Sequence, residues 1–329
     1  NGTVKLWDIA AERLDWTLNA HRAAIWTLDL SPTGAHLATG SDDGHARIWD
    51  LKTQKEVHAL ASSGGVRALA FDPHGKKLIT GGRDNTVKVW DVASGTEILK
   101  TAGHAGSVVA VVAVAFAPDG KTMLVSSGDR QKMEPAQDTS NNLGSIVRLN
   151  LDGTPAGGNA FSGQAGKAQD IWSYGHRNIL GLKFDAGGRL WALEHGPAGG
   201  DEFNLVRKGA NYGWPVVSEG DHYDGKEIPP HATRPEFAAP ALAWNPVIAP
   251  GDFIFYSGKL WPEWKGQALI AAMAPAGIVR VGIDGERARE LARYPMDKRI
   301  REIVEAPDGA LWLLEDKAGG RLLELRPVR

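Results

Sequence analysis

The chain of 329 residues carries 37 Lys and Arg against 39 Asp and Glu, a net charge of −2, and has no cysteine. This charge balance offers no global field to nucleic acid or an anionic membrane, and disulfides, thiolate chemistry and cysteine-bound zinc are excluded. No apolar run approaches the roughly 20 residues of a membrane span; the longest, residues 108–117, is of strand length. The chain opens at Asn1-Gly2-Thr3-Val4 with neither Met nor signal peptide, read as removal of whatever preceded it.

Along the chain, apolar-alternating strands are joined by turns of one kind: Ser31-Pro32-Thr33-Gly34, Asp72-Pro73-His74-Gly75, Ala117-Pro118-Asp119-Gly120, Asp185-Ala186-Gly187-Gly188 and Ala306-Pro307-Asp308-Gly309, with Ile248-Ala249-Pro250-Gly251 as a degenerate sixth. A strand pair repeated at such intervals means radial repetition. The expected fold is all-β, a single six-bladed β-propeller over residues 1–329, at roughly 40 to 50 residues per blade. The chain ends supply candidate strands 299–306, 311–315 and 322–326 on one side and 3–7 and 14–18 on the other. Pairing them in one blade would close the ring and remove its exposed edges. That makes five candidates for a four-stranded blade, so one is a connector or an extra outer strand.

In the first third one strand occurs three times, as Val4-Lys5-Leu6-Trp7-Asp8, Ala46-Arg47-Ile48-Trp49-Asp50 and Val87-Lys88-Val89-Trp90-Asp91. Residues 1–120 resemble the WD-repeat family on these copies. The resemblance implies a structural network of His, Asp and Trp, matched by His21, Asp43 and Trp49. In the next blade Asp84 and Trp90 match, but Ser62-Ser63-Gly64-Gly65 stands where the His belongs, so that blade is expected to be less well tied.

From about residue 121 the text changes. Gly128-Asp129-Arg130, Trp172-Ser173-Tyr174-Gly175-His176-Arg177-Asn178, Glu194-His195-Gly196-Pro197-Ala198-Gly199-Gly200-Asp201-Glu202, Asn211-Tyr212-Gly213-Trp214-Pro215 and Arg299-Ile300-Arg301 follow in order. Over residues 121–329 this series resembles the soluble pyrroloquinoline-quinone-dependent aldose (glucose-type) dehydrogenases, which are six-bladed propellers. The whole reads as WD-type blades joined to quinoprotein blades. Eleven positions separate His21 from Pro32 but 14 separate His104 from Pro118, and the surplus matches the tandem Val108-Val109-Ala110 and Val111-Val112-Ala113. That duplication reads as an engineered or recombined joint; a natural β-bulge or loop insertion is the alternative.

Residues 131–142, 154–170 and 216–240 are polar, rich in glycine or proline and hard to read as strands, so a site is expected on the face where they gather. Glycine-rich, acidic loops offer the hard oxygen donors that calcium takes. The resemblance implies that the carbonyls of Gly196 and Pro197 bind the calcium that holds the quinone, and that Glu202 and Tyr212 belong to a second, structural calcium. A tricarboxylate quinone needs planar cationic donors. Arg177, Asn178, His195, Arg299 and Arg301 match the cofactor cavity, with Arg299 and Arg301 in phase on one strand face. Ordinary salt bridges on the surface are the bland alternative for these arginines.

Sugar oxidation also needs a general base. The resemblance places it in a His-containing segment before the Pro-Asp-Gly turn, and counting back from Pro118 lands on Val109, which accepts no proton. His104 is the nearest substitute, although it matches the structural His of a WD repeat; with Arg177 it completes the catalytic candidates. A Lys expected at Ala274 and a Thr expected at Val247 are also absent. His36, His45, His58 and His74 read as surface residues, and His222 and His231 as loop residues without ligand spacing. The expected function is that of a hybrid propeller derived from a sugar dehydrogenase, its calcium and quinone site partly retained and its catalysis impaired or absent. The alternatives are an active quinone-dependent dehydrogenase, taking an aldose and an electron acceptor, and a WD-type protein-interaction scaffold. A monomer is expected. The compartment is open; the quinoprotein lineage implies a periplasmic or secreted setting.

Overall fold

The computed structural model describes residues 2–8, 13–102, 111, 113–129, 131–317 and 320–327. Among these, six sheets of four or five strands stand around one axis. The innermost strands are Ile25–Leu30, Val66–Phe71, Ala113–Phe116, Ile179–Phe184, Pro250–Phe255 and Ile300–Glu305. Each contacts the next, and the last returns to the first, so the ring is closed. Blade one continues outward through His36–Ser41, His45–Asp50 and Lys55–Ala61, and the next four blades repeat this plan. Second strands such as Leu190–Glu194, Ala268–Met273 and Leu311–Glu315 are buried along their whole length, because neighbouring blades cover both faces. Outer strands such as Lys55–Ala61 alternate with solvent instead.

The WD-type ties form where the sequence puts them. His21 bonds Asp43 through Nδ1 (3.0 Å) and Thr39 through Nε2 (2.8 Å), and the Trp49 indole N–H donates to the same Thr39 hydroxyl at 3.0 Å. In blade two Trp90 still donates to Thr80 (3.0 Å), but Asp84 turns to the Thr86 hydroxyl, and no histidine enters among the described residues.

Two expectations need refinement. Five of the six turns are confirmed, with Gly34, Gly75, Gly120, Gly188 and Gly309 all at positive φ, where a side chain would be strained. The sixth is not a turn of this kind: Pro250 and Gly251 open an inner strand. Gly251 is needed there for close approach, since a Cβ would sit 2.0 Å from the Arg301 carbonyl oxygen. The closing sheet holds all five terminal strands, in the order Arg13–Leu18, Val4–Asp8, Leu322–Leu325, Leu311–Glu315, Ile300–Glu305. Val4–Asp8 pairs parallel to Leu322–Leu325. The reason lies in the repeat. Val4–Asp8 is the same strand as His45–Asp50 and Thr86–Asp91, the third of its blade, and Leu322–Leu325 is likewise third. Two third strands side by side must run the same way, and Arg13–Leu18 becomes the extra outer strand.

Candidate functional site

Five of the six inner strands open with a break in register: between Ile25 and Thr27, Val66 and Ala68, Ile179 and Gly181, Pro250 and Phe253, and Ile300 and Glu302. A bulge leaves one residue unpaired and re-aims its side chain. Here those residues are Trp26, Arg67, Leu180, Gly251 and Arg301, and all five line the central channel, which encloses about 150 Å³.

At this end of the channel Arg299 and Arg301 share one carboxylate. Arg299 grips Asp316 Oδ2 through Nε and Nη2 (2.9 and 2.8 Å), while Arg301 Nη2 reaches Oδ1 at 3.1 Å. Burial opposes ionisation of Asp316, but the two guanidiniums prevail and hold its carboxyl below the usual range. Arg177 approaches from the loop ahead of Ile179–Phe184, with the blade of Pro250–Phe255 between it and the closing blade. Its backbone N–H donates to Glu194 (2.8 Å), Nη1 to the His195 carbonyl (2.9 Å) and Nη2 to the Tyr223 hydroxyl (3.0 Å), with its guanidinium over the Trp214 and Tyr223 rings. Asn178 accepts the His195 N–H through its carbonyl at 3.0 Å. His195 in turn points Nε2 at the Pro250 carbonyl, 2.7 Å away. That partner only accepts, so Nε2 carries the proton and Nδ1 keeps its lone pair. Desolvation, helped by the charges of Arg177 and Arg301, pushes the His195 pKa down. The ring is therefore neutral at pH 7.

Gly196, Pro197, Glu202 and Tyr212 line one small cavity beside Arg177 and His195. No N–H or O–H among the described residues donates to the Gly196 or Pro197 carbonyls. Glu202 is buried with the Asn204 amide as its hydrogen-bond donor (3.1 Å), and desolvation plus the Glu194 charge push its pKa well up. Two carbonyls that accept no hydrogen bond, beside a buried carboxylate with no cationic partner, all among the described residues, are donors of the kind a hard divalent cation takes. Among the described residues no three His, Asp or Glu side chains form a metal cluster, so a cation here depends on backbone oxygens. The Tyr212 hydroxyl is already engaged, donating to the Leu205 carbonyl at 2.6 Å; what Tyr212 presents towards Glu202 is its place in the cavity wall.

Reading the residues missed the layer behind these groups. His176, fully buried, links Glu194 Oε1 (3.0 Å) to the Ser173 hydroxyl (2.9 Å) and stacks on Tyr212 at 4.5 Å. Glu194 is thereby fixed to hold Arg177. Although burial works against its charge, His176 keeps Glu194 below the usual range. The only sequence signal was the placing of His176 directly before Arg177-Asn178. The 131–142 and 216–240 loops do gather here: Gln137 bonds Asn211 and the Trp214 carbonyl, Trp214 donates to Asp129 at 2.7 Å, and Tyr223 covers Arg177. His231, read as an ordinary loop residue, is buried against Glu219 and the Tyr212 carbonyl. His104 and Val109 lie outside the described residues.

The fold is thus a six-bladed propeller whose axial mouth collects arginines beside loop carbonyls that accept no hydrogen bond among the described residues. The family model Glucose / Sorbosone dehydrogenase matches residues 83–324, and the chain belongs to that family. WD domain, G-beta repeat matches residues 13–50 and 54–91. Among curated relatives, the Aldose sugar dehydrogenase YliI of Escherichia coli is 35% identical over 64% of this chain and 58% of its own length. An uncharacterized protein of Synechocystis is 38% identical over 63% and 53%. The chain thus spans about half the length of these relatives. The soluble aldose sugar dehydrogenase of Escherichia coli in its apo form superposes with a TM-score of 0.76 at 25% identity, over 92% of this chain and 96% of that one. A solved glucose dehydrogenase gives 0.80 at 27%, over 93% and 97%.

Proposed function

We propose that this chain is a recombined propeller that retains the calcium and pyrroloquinoline quinone site of a sugar dehydrogenase but oxidises aldoses poorly or not at all. The observation that carries this reading is the convergence of Arg177, His195, Arg299 and Arg301 on one channel mouth beside the unpartnered carbonyls of Gly196 and Pro197. Arg177 and Arg301 would hold carboxylates of the cofactor, Asn178 and His195 its polar edge, and the two carbonyls its calcium; Glu202 and Tyr212 would serve the second calcium. When bound, the quinone supplies the two-electron acceptor for a sugar C–H bond. This chain's residues bind and orient it, but the base position falls on Val109. A missing general base costs roughly two to four decades of rate. The recombined origin is supported by the two family matches, which overlap only at residues 83–91, and by the doubled third strand of the closing blade. Any turnover that survives would be that of a monomer taking an aldose and an electron acceptor.

The test combines calcium, pyrroloquinoline quinone and an aldose with an artificial acceptor dye. Expected are cofactor-induced thermal stabilisation that depends on calcium and turnover at least about a hundredfold below an intact family enzyme. Full turnover overturns the impairment. Absence of any stabilisation overturns the binding site.

A further inference from the structure

We infer that the WD-derived blades supply their own wall of this site: Arg67, braced by Trp26, is a cofactor-binding residue that no quinoprotein strand provides. The inference rests on the reading of the mouth as a binding site for a planar polycarboxylate. Its independent support is positional. Trp26 and Arg67 occupy the bulge of blades one and two, the place that Arg301 occupies in the closing blade, and the same bulge turns all three into the channel.

Once there, the three side chains form a stack. The Arg67 guanidinium lies 3.7 Å from the centroid of the Trp26 ring, and that of Arg301 lies 5.1 Å from it. Trp26 is held by its indole N–H, which donates to Asp42 at 2.7 Å, and Asp42 also pairs with Arg67 at 3.0 Å. A ring that is packed and hydrogen-bonded fixes the guanidinium stacked on it, so Arg67 is pre-organised before any ligand arrives. Arg67 is partly buried and shares its surroundings with two like charges, Arg83 and Arg301; desolvation and these neighbours lower its pKa against the opposing charge of Asp42, and three arginines here thus share Asp42 and Asp316. Like charges gathered at a channel mouth are held against their repulsion. An anion placed between Arg67 and Arg301 relieves that repulsion and gains planar, charge-assisted donors from both sides.

The experiment is a titration of the calcium-loaded protein with pyrroloquinoline quinone, followed by tryptophan fluorescence and by the quinone absorption band. It uses the parent chain, Arg67→Gln, Arg67→Lys, Trp26→Phe and Arg301→Gln, each checked for an unchanged circular dichroism spectrum. Expected are a loss of affinity of about tenfold or more for Arg67→Gln, typical of a removed hydrogen bond to a charged group; partial rescue in Arg67→Lys; and a smaller fluorescence quench in Trp26→Phe. If the parent chain binds, Arg301→Gln weakens binding and Arg67→Gln does not, this inference falls and the proposed site stands. If the parent chain does not bind, both fall. If Arg67→Gln alters the spectrum, Arg67→Lys decides, since it keeps the charge and removes the fork: affinity equal to that of the parent chain rejects the guanidinium role, and a measurable loss supports it.

Discussion

Replacing Lys183 by Met tests what holds the ring together along its axis. Lys183 lies on an inner strand, with Nζ 2.9 Å from Asp252 Oδ2. Asp29 and Glu302 share the same part of the channel, from the first and last blades. Burial works against the Lys183 charge, but Asp252 and Asp29 outweigh it and hold the ammonium above its usual value. Asp29 is pushed up to about 6 by desolvation, even though it accepts the N–H groups of Phe71 (2.8 Å) and Leu30 (2.9 Å). Glu302 is pushed up by desolvation and by the charge of Asp252. Removing one partner of a buried ion pair costs about 3–5 kcal/mol, because the other charge is left uncompensated. Unfolding entropy of about 2.1 cal/mol/K per residue makes 4 kcal/mol worth about 6 °C in Tm for a chain of this length. The sign with pH follows. Carboxyls whose pKa is raised on folding favour the fold when protonated, and that contribution fades as pH rises through the folded value. The Tm loss of Lys183→Met, read by circular dichroism, should therefore be about 6 °C at pH 8 and smaller at pH 5, below the Asp29 value. An equal loss at both values would mean that lost packing, not charge, is responsible, and would refute the reasoning.

Other outcomes follow from the same geometry. In the parent chain the rise of Asp29 to about 6 makes folding weaker by about 2 kcal/mol at pH 8 than at pH 4 from this group alone; Asp29→Asn, compared by urea melts at the two values, should flatten that part of the profile. Glu202→Gln should raise Tm in chelator, since it removes a buried carboxylate beside Glu194, and should reduce the stabilisation by calcium by the share of the second site; an undiminished calcium shift would count against Glu202 as a ligand. His21→Ala breaks the bonds to Asp43 and Thr39 and should cost about 2 kcal/mol in denaturant midpoint analysis. A second change, Trp49→Phe, should then cost less than it does alone, because both act through Thr39.

Much of the fold was legible because its signals are local. A Pro-Asp-Gly turn and a Trp-Asp strand declare themselves within five residues, and repetition multiplies them. Pro250-Gly251 misled for the same reason: it has the composition of a turn but serves a close approach to Arg301, a neighbour 50 positions away that no local pattern encodes. The arginines and loop carbonyls of the site were visible only through order and resemblance; spacing alone does not bring Arg177 and Arg301 together. Trp26, Arg67 and Asp316 were not visible at all. Period-two reasoning assumes an unbroken pleat, whereas Trp26 and Arg67 reach the channel through a bulge, and Asp316 matters because the backbone of Arg299 bonds it at the end of a neighbouring strand. His176 and Glu194 read as parts of motifs whose buried partners come from elsewhere in the chain.

The parallel seam between Val4–Asp8 and Leu322–Leu325 rests on three register pairs, Leu6 with Leu322, Trp7 with Leu323 and Asp8 with Glu324. Inside it, the C-terminal strands already form three rungs; outside it, the N-terminal hairpin arrives as a finished unit, its Trp16 ring 6.4 Å from Trp312. The ring is thus fastened like a necklace by a clasp of one short parallel seam, so a change that weakens those three pairs would loosen the closing blade before any other.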